Sequence, residues 1–154
     1  MIQTHKSKVA FDLTAGGGGH SRLLLSRSSD GAAVYGFDRD PMAIEYLKSK
    51  FYNEITAGQY NLIHSKFSEV LNVAKRLALL GKVDFILADL GVSSPQLDLA
   101  DRGFSFDKEG PLDMRMNQSG SEPTAADIVN TYDERELSRI FRLYGDEPKA
   151  HFIA

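Results

Sequence analysis

Phe11-Asp12-Leu13-Thr14-Ala15-Gly16-Gly17-Gly18-Gly19-His20-Ser21 is the stretch whose reading decides the fold. It runs from a short apolar segment, residues 9–11, through a glycine turn into the leucine-rich residues 20–26. The pattern is a buried strand ending at Asp12, a turn, and the start of a helix. Glycines let the backbone take positive φ and approach a ligand closely. Amides at a helix N-terminus favour an anionic or polar group. The turn departs from two familiar patterns. Ser21 stands where G-x-G-x-x-G wants its third glycine, and no Lys-Ser/Thr pair follows for a triphosphate loop. A bare glycine turn is also compatible with a purely structural role.

Further along the chain, residues 34–37 read as a second strand ending at Asp38. An acid at that point, roughly 20 residues beyond a glycine turn, accepts hydrogen bonds from ribose hydroxyls. S-adenosylmethionine carries a ribose but no pyrophosphate, so it tolerates the looser glycine pattern. Asp12 is placed to face its ammonium group. Asp40 reads as a helix N-cap, with Pro41 at the first helical position. Ile44, Leu47 and Phe51 form that helix's apolar face. Residues 61–64 are a third strand. Phe67, Val70, Leu71, Ala74, Leu77 and Ala78 then follow a helical period, with Gly81 as the stop. Residues 83–88 are a fourth strand. Strands alternating with helices predict an α/β fold with a parallel sheet and right-handed crossovers.

Asp89, Gly91, Ser93, Ser94, Pro95 and Gln96 cluster where the fourth strand ends. In open α/β sheets ligands bind outside the carboxyl ends of the strands. Taken alone, the cluster reads first as an ordinary Ser/Pro turn. Residues 98–120 show no long period and read as a functional loop. Two short helices follow, with Thr124/Asp127 and Asp133/Glu136 as capping boxes. Leu137, Ile140, Phe141 and Tyr144 form one face of the second, which Gly145 ends. These residues divide the chain at 1–116, a partial sheet domain with its loop, and 117–154, the start of a helical attachment. With only about four strands, the last leaves an exposed apolar edge. Either something covers that edge, a second copy included, or the chain is a portion of a larger fold.

The 154 residues suffice for a domain with a real core. There is no cysteine, which excludes disulfides, thiolate metal sites and Cys nucleophiles. A net charge of -3 provides no global basic footprint, so any nucleic-acid contact must use a local face. No segment has the length of a membrane span. Residues 1–8 are polar, with no signal-peptide core. His5, His20, His64 and His151 are scattered without ligand spacing, so no metal site is expected.

The motifs converge on a family. Residues 12–21, 36–41, 67–68, 89–98, 102–106 and 110–116, with weaker support from 125–130 and 144–147, run in the order of one family's motifs. Asp89-Leu90-Gly91-Val92-Ser93-Ser94-Pro95-Gln96-Leu97-Asp98 and Gly110-Pro111-Leu112-Asp113-Met114-Arg115-Met116 are the specific ones. On these residues the chain resembles the bacterial-type ribosomal RNA small subunit methyltransferase H family, also called MraW. The resemblance implies a Rossmann-like class I S-adenosylmethionine-dependent methyltransferase sheet, present in part, with the start of a helical insertion. It implies methyl transfer to N4 of a cytidine in small-subunit (16S) rRNA, with that rRNA or the ribosomal small subunit as partner. It carries cofactor contacts onto Gly18, Gly19, His20, Asp38, Phe67, Asp89 and Gln96; the candidate catalytic residue, Asp89, comes from the chemistry considered next. For His20 the backbone amide is the group expected to serve. Leu13 and Gly17 depart from the family pattern, where a smaller and a bulkier residue are usual. The family also has a short segment before the first strand and continues past Ala154, which implies a truncated chain. The compartment implied is the cytoplasm, or the mitochondrion for an organellar relative.

The exocyclic amine must be held and polarised in line with the sulfonium methyl. Asp89 or a backbone carbonyl would accept its hydrogens and favour the developing charge. Phe104 and Phe106 are candidates to stack the base, or else loop anchors. Arg102 and Arg115 are candidates for RNA phosphates or for salt bridges, with Asp113 fixing Arg115 or the loop. Two other functions remain open: a non-catalytic binding fragment, and a nicotinamide-dependent oxidoreductase, which Ser21 argues against.

Overall fold

Apolar residues on both faces of successive strands require helices on both sides of the sheet, and the computed structural model shows that arrangement. It describes residues 8–29 and 31–154. The readings placed on residues 1–7, His5 among them, lie outside the described residues. Strands β1 (Val9–Asp12), β2 (Ala33–Asp38), β3 (Tyr60–His64) and β4 (Phe85–Leu87) form one parallel sheet in the order β3-β2-β1-β4. Asp12 pairs with Gly36 and Leu87, and Asp38 with His64, so all four strands end along one edge.

Alternate residues of a strand point to opposite faces. Ala10, Val34 and Tyr60 pack with Leu24 of α1 (Gly19–Arg27), Leu47 of α2 (Pro41–Lys50) and Phe51 at its end. Phe11 and Phe37 pack on the other face with Val73 and Ala74 of α4 (Val70–Arg76). This is a Rossmann-like α/β sheet, as the sequence predicts. Asp40 caps α2 as expected, its carboxylate accepting the Met42 amide at 2.9 Å. A short α3 (Tyr52–Thr56), which no signal in the sequence announced, leads into β3.

Two expected elements come out shorter. The fourth strand spans Phe85–Leu87 rather than 83–88, in register with Ala10 to Asp12 of β1. Just before it, the Asp84 amide donates to the Val9 carbonyl at 2.9 Å, and its carboxylate accepts the amides of Lys8 and Val9 at 2.8 and 2.9 Å. Ile86 on β4 is 55% exposed, in keeping with an apolar edge. The helix expected to run to Gly81 ends at Arg76. Ala78 takes a left-handed φ of 54°, and Leu79 and Ala78 donate back to Ala74 and Lys75, the double bond of a Schellman stop. Its buried stripe is therefore Val73 and Ala74, with Leu71 and Leu77 left exposed.

The chain forms two compact units, Met1–Ser93 and Ser94–Ala154. In the second, α5 (Ser94–Asp98) is helical where a turn was one reading. Pro95 fits there because a helix's first turn does not need its amide hydrogen. α6 (Ala125–Thr131) has the expected capping box of Thr124 and Asp127. Asp133 caps α7 (Glu134–Gly145) by accepting the Glu136 amide, and α8 (Ala150–Ile153) follows. Of the expected α7 face, Leu137 is buried and Tyr144 is exposed.

The two arginines weighed as phosphate ligands hold the loop of residues 98–120 together instead. Arg102 is 2% exposed and donates to the carbonyls of Arg115 and Met116. Arg115 grips Asp113 through two N–H groups at 2.9 and 2.8 Å and also donates to the Gly120 and Glu122 carbonyls. Arg115 holds the Asp113 carboxyl at about 2, below its ordinary 3.8. A carboxyl depressed on folding contributes stability that is complete above the unfolded value and is lost as pH falls through the folded one. Asp113→Asn is therefore expected to cost on the order of 1–2 kcal/mol at pH 6. That difference from wild type should shrink between about pH 4 and 2, as urea melts at each pH would read.

Candidate active site

Because the strands are parallel, the segments after β1, β2, β3 and β4 meet at one end of the sheet. The glycine turn follows β1. Gly18 has a φ of 78° and caps α1. A Cβ added there would lie 2.5 Å from the Phe51 ring and 2.7 Å from Leu47. At Gly17 and Gly19 an added Cβ meets nothing within 4 Å, so the backbone lies open on that side. Leu13, the departure toward a larger residue, packs into the core beneath the second face.

Two carboxylates pin this turn. Asp38 accepts the Gly16 amide on Oδ2 and the Asp40 amide on Oδ1, both at 2.8 Å. Each carboxylate oxygen has two acceptor sites, so each keeps one for a hydroxyl. Asp12 sits on the other side and is fully buried. It accepts the Thr14 amide at 3.3 Å and the Ser21 hydroxyl at 2.7 Å. The Ser21 hydroxyl lies 2.8 Å from that of Tyr60. Burial pushes the Asp12 carboxyl above its ordinary value, partly offset by Ser21 and Thr14. Burial also pushes the Tyr60 hydroxyl up.

This corrects the expectation for Asp12. With no exposed surface it cannot face a ligand's ammonium group; it holds Thr14 and Ser21. The same network explains why Ser21 replaces the third glycine: its hydroxyl is needed by Asp12. Tyr60 reaches the network only because residue 36 is glycine, since a Cβ there would collide with the Tyr60 hydroxyl. Sequence reasoning missed Tyr60 and Gly36. The available signal was a glycine inside a strand, which often marks close approach of another group.

Asp89 follows β4 and hangs on the glycine turn. Its amide donates to the Thr14 hydroxyl at 2.8 Å. Its carboxylate is exposed, with Oδ2 3.8 Å from His20 Nδ1. Thr14 was also missed, because its partner is 75 residues away. After β3, the Ser65 amide donates to the Asp38 carbonyl at 2.9 Å. Phe67 opens the next short turn and is 48% exposed, so it is not the core residue that its place in the apolar stripe suggested.

The structure thus brings Gly18, Gly19, His20, Asp38, Phe67 and Asp89 to the strand ends of the first unit. Gln96 lies on α5 of the second unit and is buried. In that unit Phe104 is half-buried and Phe106 fully exposed, which rules out Phe106 as a buried loop anchor. Among the described residues, no group of three or more His, Cys, Asp or Glu is arranged to hold a metal ion. No described helix is long and apolar enough to cross a membrane.

Comparison with known proteins follows the same line. The model of the MraW methylase family matches residues 1–154. Ribosomal RNA small subunit methyltransferase H of Myxococcus xanthus (strain DK1622) is 48% identical over 155 residues, covering 100% of this chain and 47% of the relative. The protein of the same name from Anaeromyxobacter sp. (strain Fw109-5) is 49% identical over 154 residues, with coverages of 100% and 47%. That from Shewanella amazonensis (strain ATCC BAA-1098 / SB2B) is 43% identical over 146 residues, with coverages of 95% and 45%. The chain spans about half the length of these curated relatives.

Proposed function

This chain belongs to the MraW methylase family, and from that premise we propose that it carries the cofactor-binding part of an S-adenosylmethionine-dependent enzyme that methylates N4 of a cytidine in small-subunit rRNA. The observation that carries the reading is the Asp38 carboxylate, which braces the glycine turn and keeps acceptor capacity for ribose hydroxyls. The open side of Gly17 and Gly19 leaves room for a ligand on the turn. These residues fit the cofactor. The nicotinamide alternative loses support because the place of the third glycine is held by Ser21, bound to Asp12.

In this reading S-adenosylmethionine supplies an electrophilic methyl group on its sulfonium. Asp38 binds the ribose, and the amides of Gly18, Gly19 and His20 meet the polar methionine end. Phe67 offers an apolar face to the adenine. Gln96 is assigned as a cofactor contact by resemblance alone. Asp89 acts as the catalytic acceptor: its carboxylate holds an amine hydrogen and favours the charge that develops on nitrogen. Residues 1–116 make up the partial methyltransferase domain with its loop, and residues 117–154 open the substrate-recognition helices. The bacterial relatives favour a cytoplasmic protein over a mitochondrial one. The exposed β4 edge supports self-association, which light scattering over a concentration series would test.

Titration calorimetry with S-adenosylmethionine and with NAD, paired with transfer of labelled methyl to small-subunit RNA, tests the proposal. Saturable binding of S-adenosylmethionine and not of NAD, with label on cytidine N4, is expected. Cofactor binding without transfer would favour the non-catalytic fragment. No binding would remove the reading altogether.

A further inference from the structure

Asp89 is approached from two directions by one segment, the glycine turn and the helix it opens. Thr14 fixes its backbone amide at 2.8 Å, and His20 faces its carboxylate with Nδ1 3.8 Å from Oδ2. The His20 side chain is 43% exposed and that of Asp89 69%, so neither is locked by packing. The expectation from resemblance used only the amide of His20; the structure places its imidazole beside the proposed amine acceptor. Catalytic hydrogen bonds are often long before substrate arrives and tighten in the complex.

We propose that His20 is a positioning residue that acts through Asp89, relieving its carboxylate of the proton the substrate amine sheds. This rests on the methyltransferase reading above. Methyl transfer to N4 forms an N–C bond and breaks the S–C bond, whose electron pair stays on sulfur. The nitrogen is left with a positive charge and one proton in excess. Asp89 Oδ2 accepts that proton and passes it to His20 Nδ1, in the tautomer that carries hydrogen on Nε2. The exposed imidazolium then releases it to water. The other charged groups around the turn are the buried Asp12, whose carboxyl feels the His20 charge, Asp38, and Lys50, which donates to the Gly17 carbonyl.

The sign follows from the acceptor role: His20 accepts a proton only when neutral, so turnover falls as pH drops. His20→Asn keeps a polar side chain near the Nδ1 position but cannot take up a proton. We expect it to lower kcat at high pH by about tenfold or more. It should also abolish the low-pH inflection and leave S-adenosylmethionine affinity by calorimetry within about threefold. A second readout needs no turnover. The His20 ring signals, followed by NMR in the intact protein at one fixed pH, should shift in Asp89→Asn, because the carboxylate 3.8 Å from Nδ1 is gone. Unmoved ring signals, or a wild-type inflection retained in His20→Asn, would overturn the inference. A wild-type protein that fails to bind S-adenosylmethionine would instead overturn the methyltransferase reading, leaving the NMR comparison to decide the His20–Asp89 coupling.

Discussion

On the proposed methyltransferase reading, Asp89→Asn is expected to lower kcat for methyl transfer by about 10²–10⁴, the usual range for a positioned acid–base group. The carboxylate is exposed at the end of β4, so replacing it leaves no buried group unsatisfied. The Asp89 amide keeps its bond to the Thr14 hydroxyl, because that bond uses backbone. Asparagine retains one acceptor oxygen but brings an N–H₂ donor and no negative charge. It can neither take up the amine's proton nor balance the charge forming on nitrogen. Cofactor affinity should fall far less than turnover, by about tenfold at most, since Asp38 and the turn amides remain. Steady-state kinetics with small-subunit RNA, alongside calorimetry, would separate the two effects. A kcat within about threefold of wild type would remove Asp89 from the chemistry.

Gly18→Val is expected to destabilise the first unit by about 3 kcal/mol. Two costs add. A side chain at a φ of 78° meets the left-handed penalty, about 1–2 kcal/mol. Its Cβ must also enter space held by Phe51 and Leu47, both buried in the core under α1 and α2. Overpacking of that kind costs about 1–3 kcal/mol. Gly17→Ala is the matched control, one residue away in open space, and should change stability by no more than about 0.5 kcal/mol. Urea unfolding of both variants measures the contrast. Equal stability of the two would mean that the turn is not seated on Phe51 and Leu47.

Much of this was legible beforehand because the signals are local. Strand-to-helix alternation, the Asp40-Pro41 cap and the Thr124 capping box each occupy only a few consecutive residues. Asp38 stands out as a candidate by its distance from the glycines and its place after an apolar strand. The α4 boundary was misjudged because Gly81 looked like a stop, whereas Ala78 accepts a left-handed conformation that composition does not announce. Arg102 and Arg115 looked like candidate phosphate ligands because a sequence does not show that a cation's partners are carbonyls 13 residues away or a carboxylate two residues away.

The sequence by itself determined the class of fold, the four strands and their alternation with helices, and the family, since hydrophobic period, caps and motif order are read along the chain. The tertiary structure alone decided how the acids divide their work. Asp12 is sealed against Ser21 and, through it, Tyr60, 39 residues from that serine, while Asp89 is hung on Thr14 across 75 residues. Both acids follow apolar runs and look alike in sequence. Asp12 is the last residue of the inner strand β1 and is buried, whereas Asp89 lies beyond Leu87, the end of the edge strand β4, and its carboxylate is exposed.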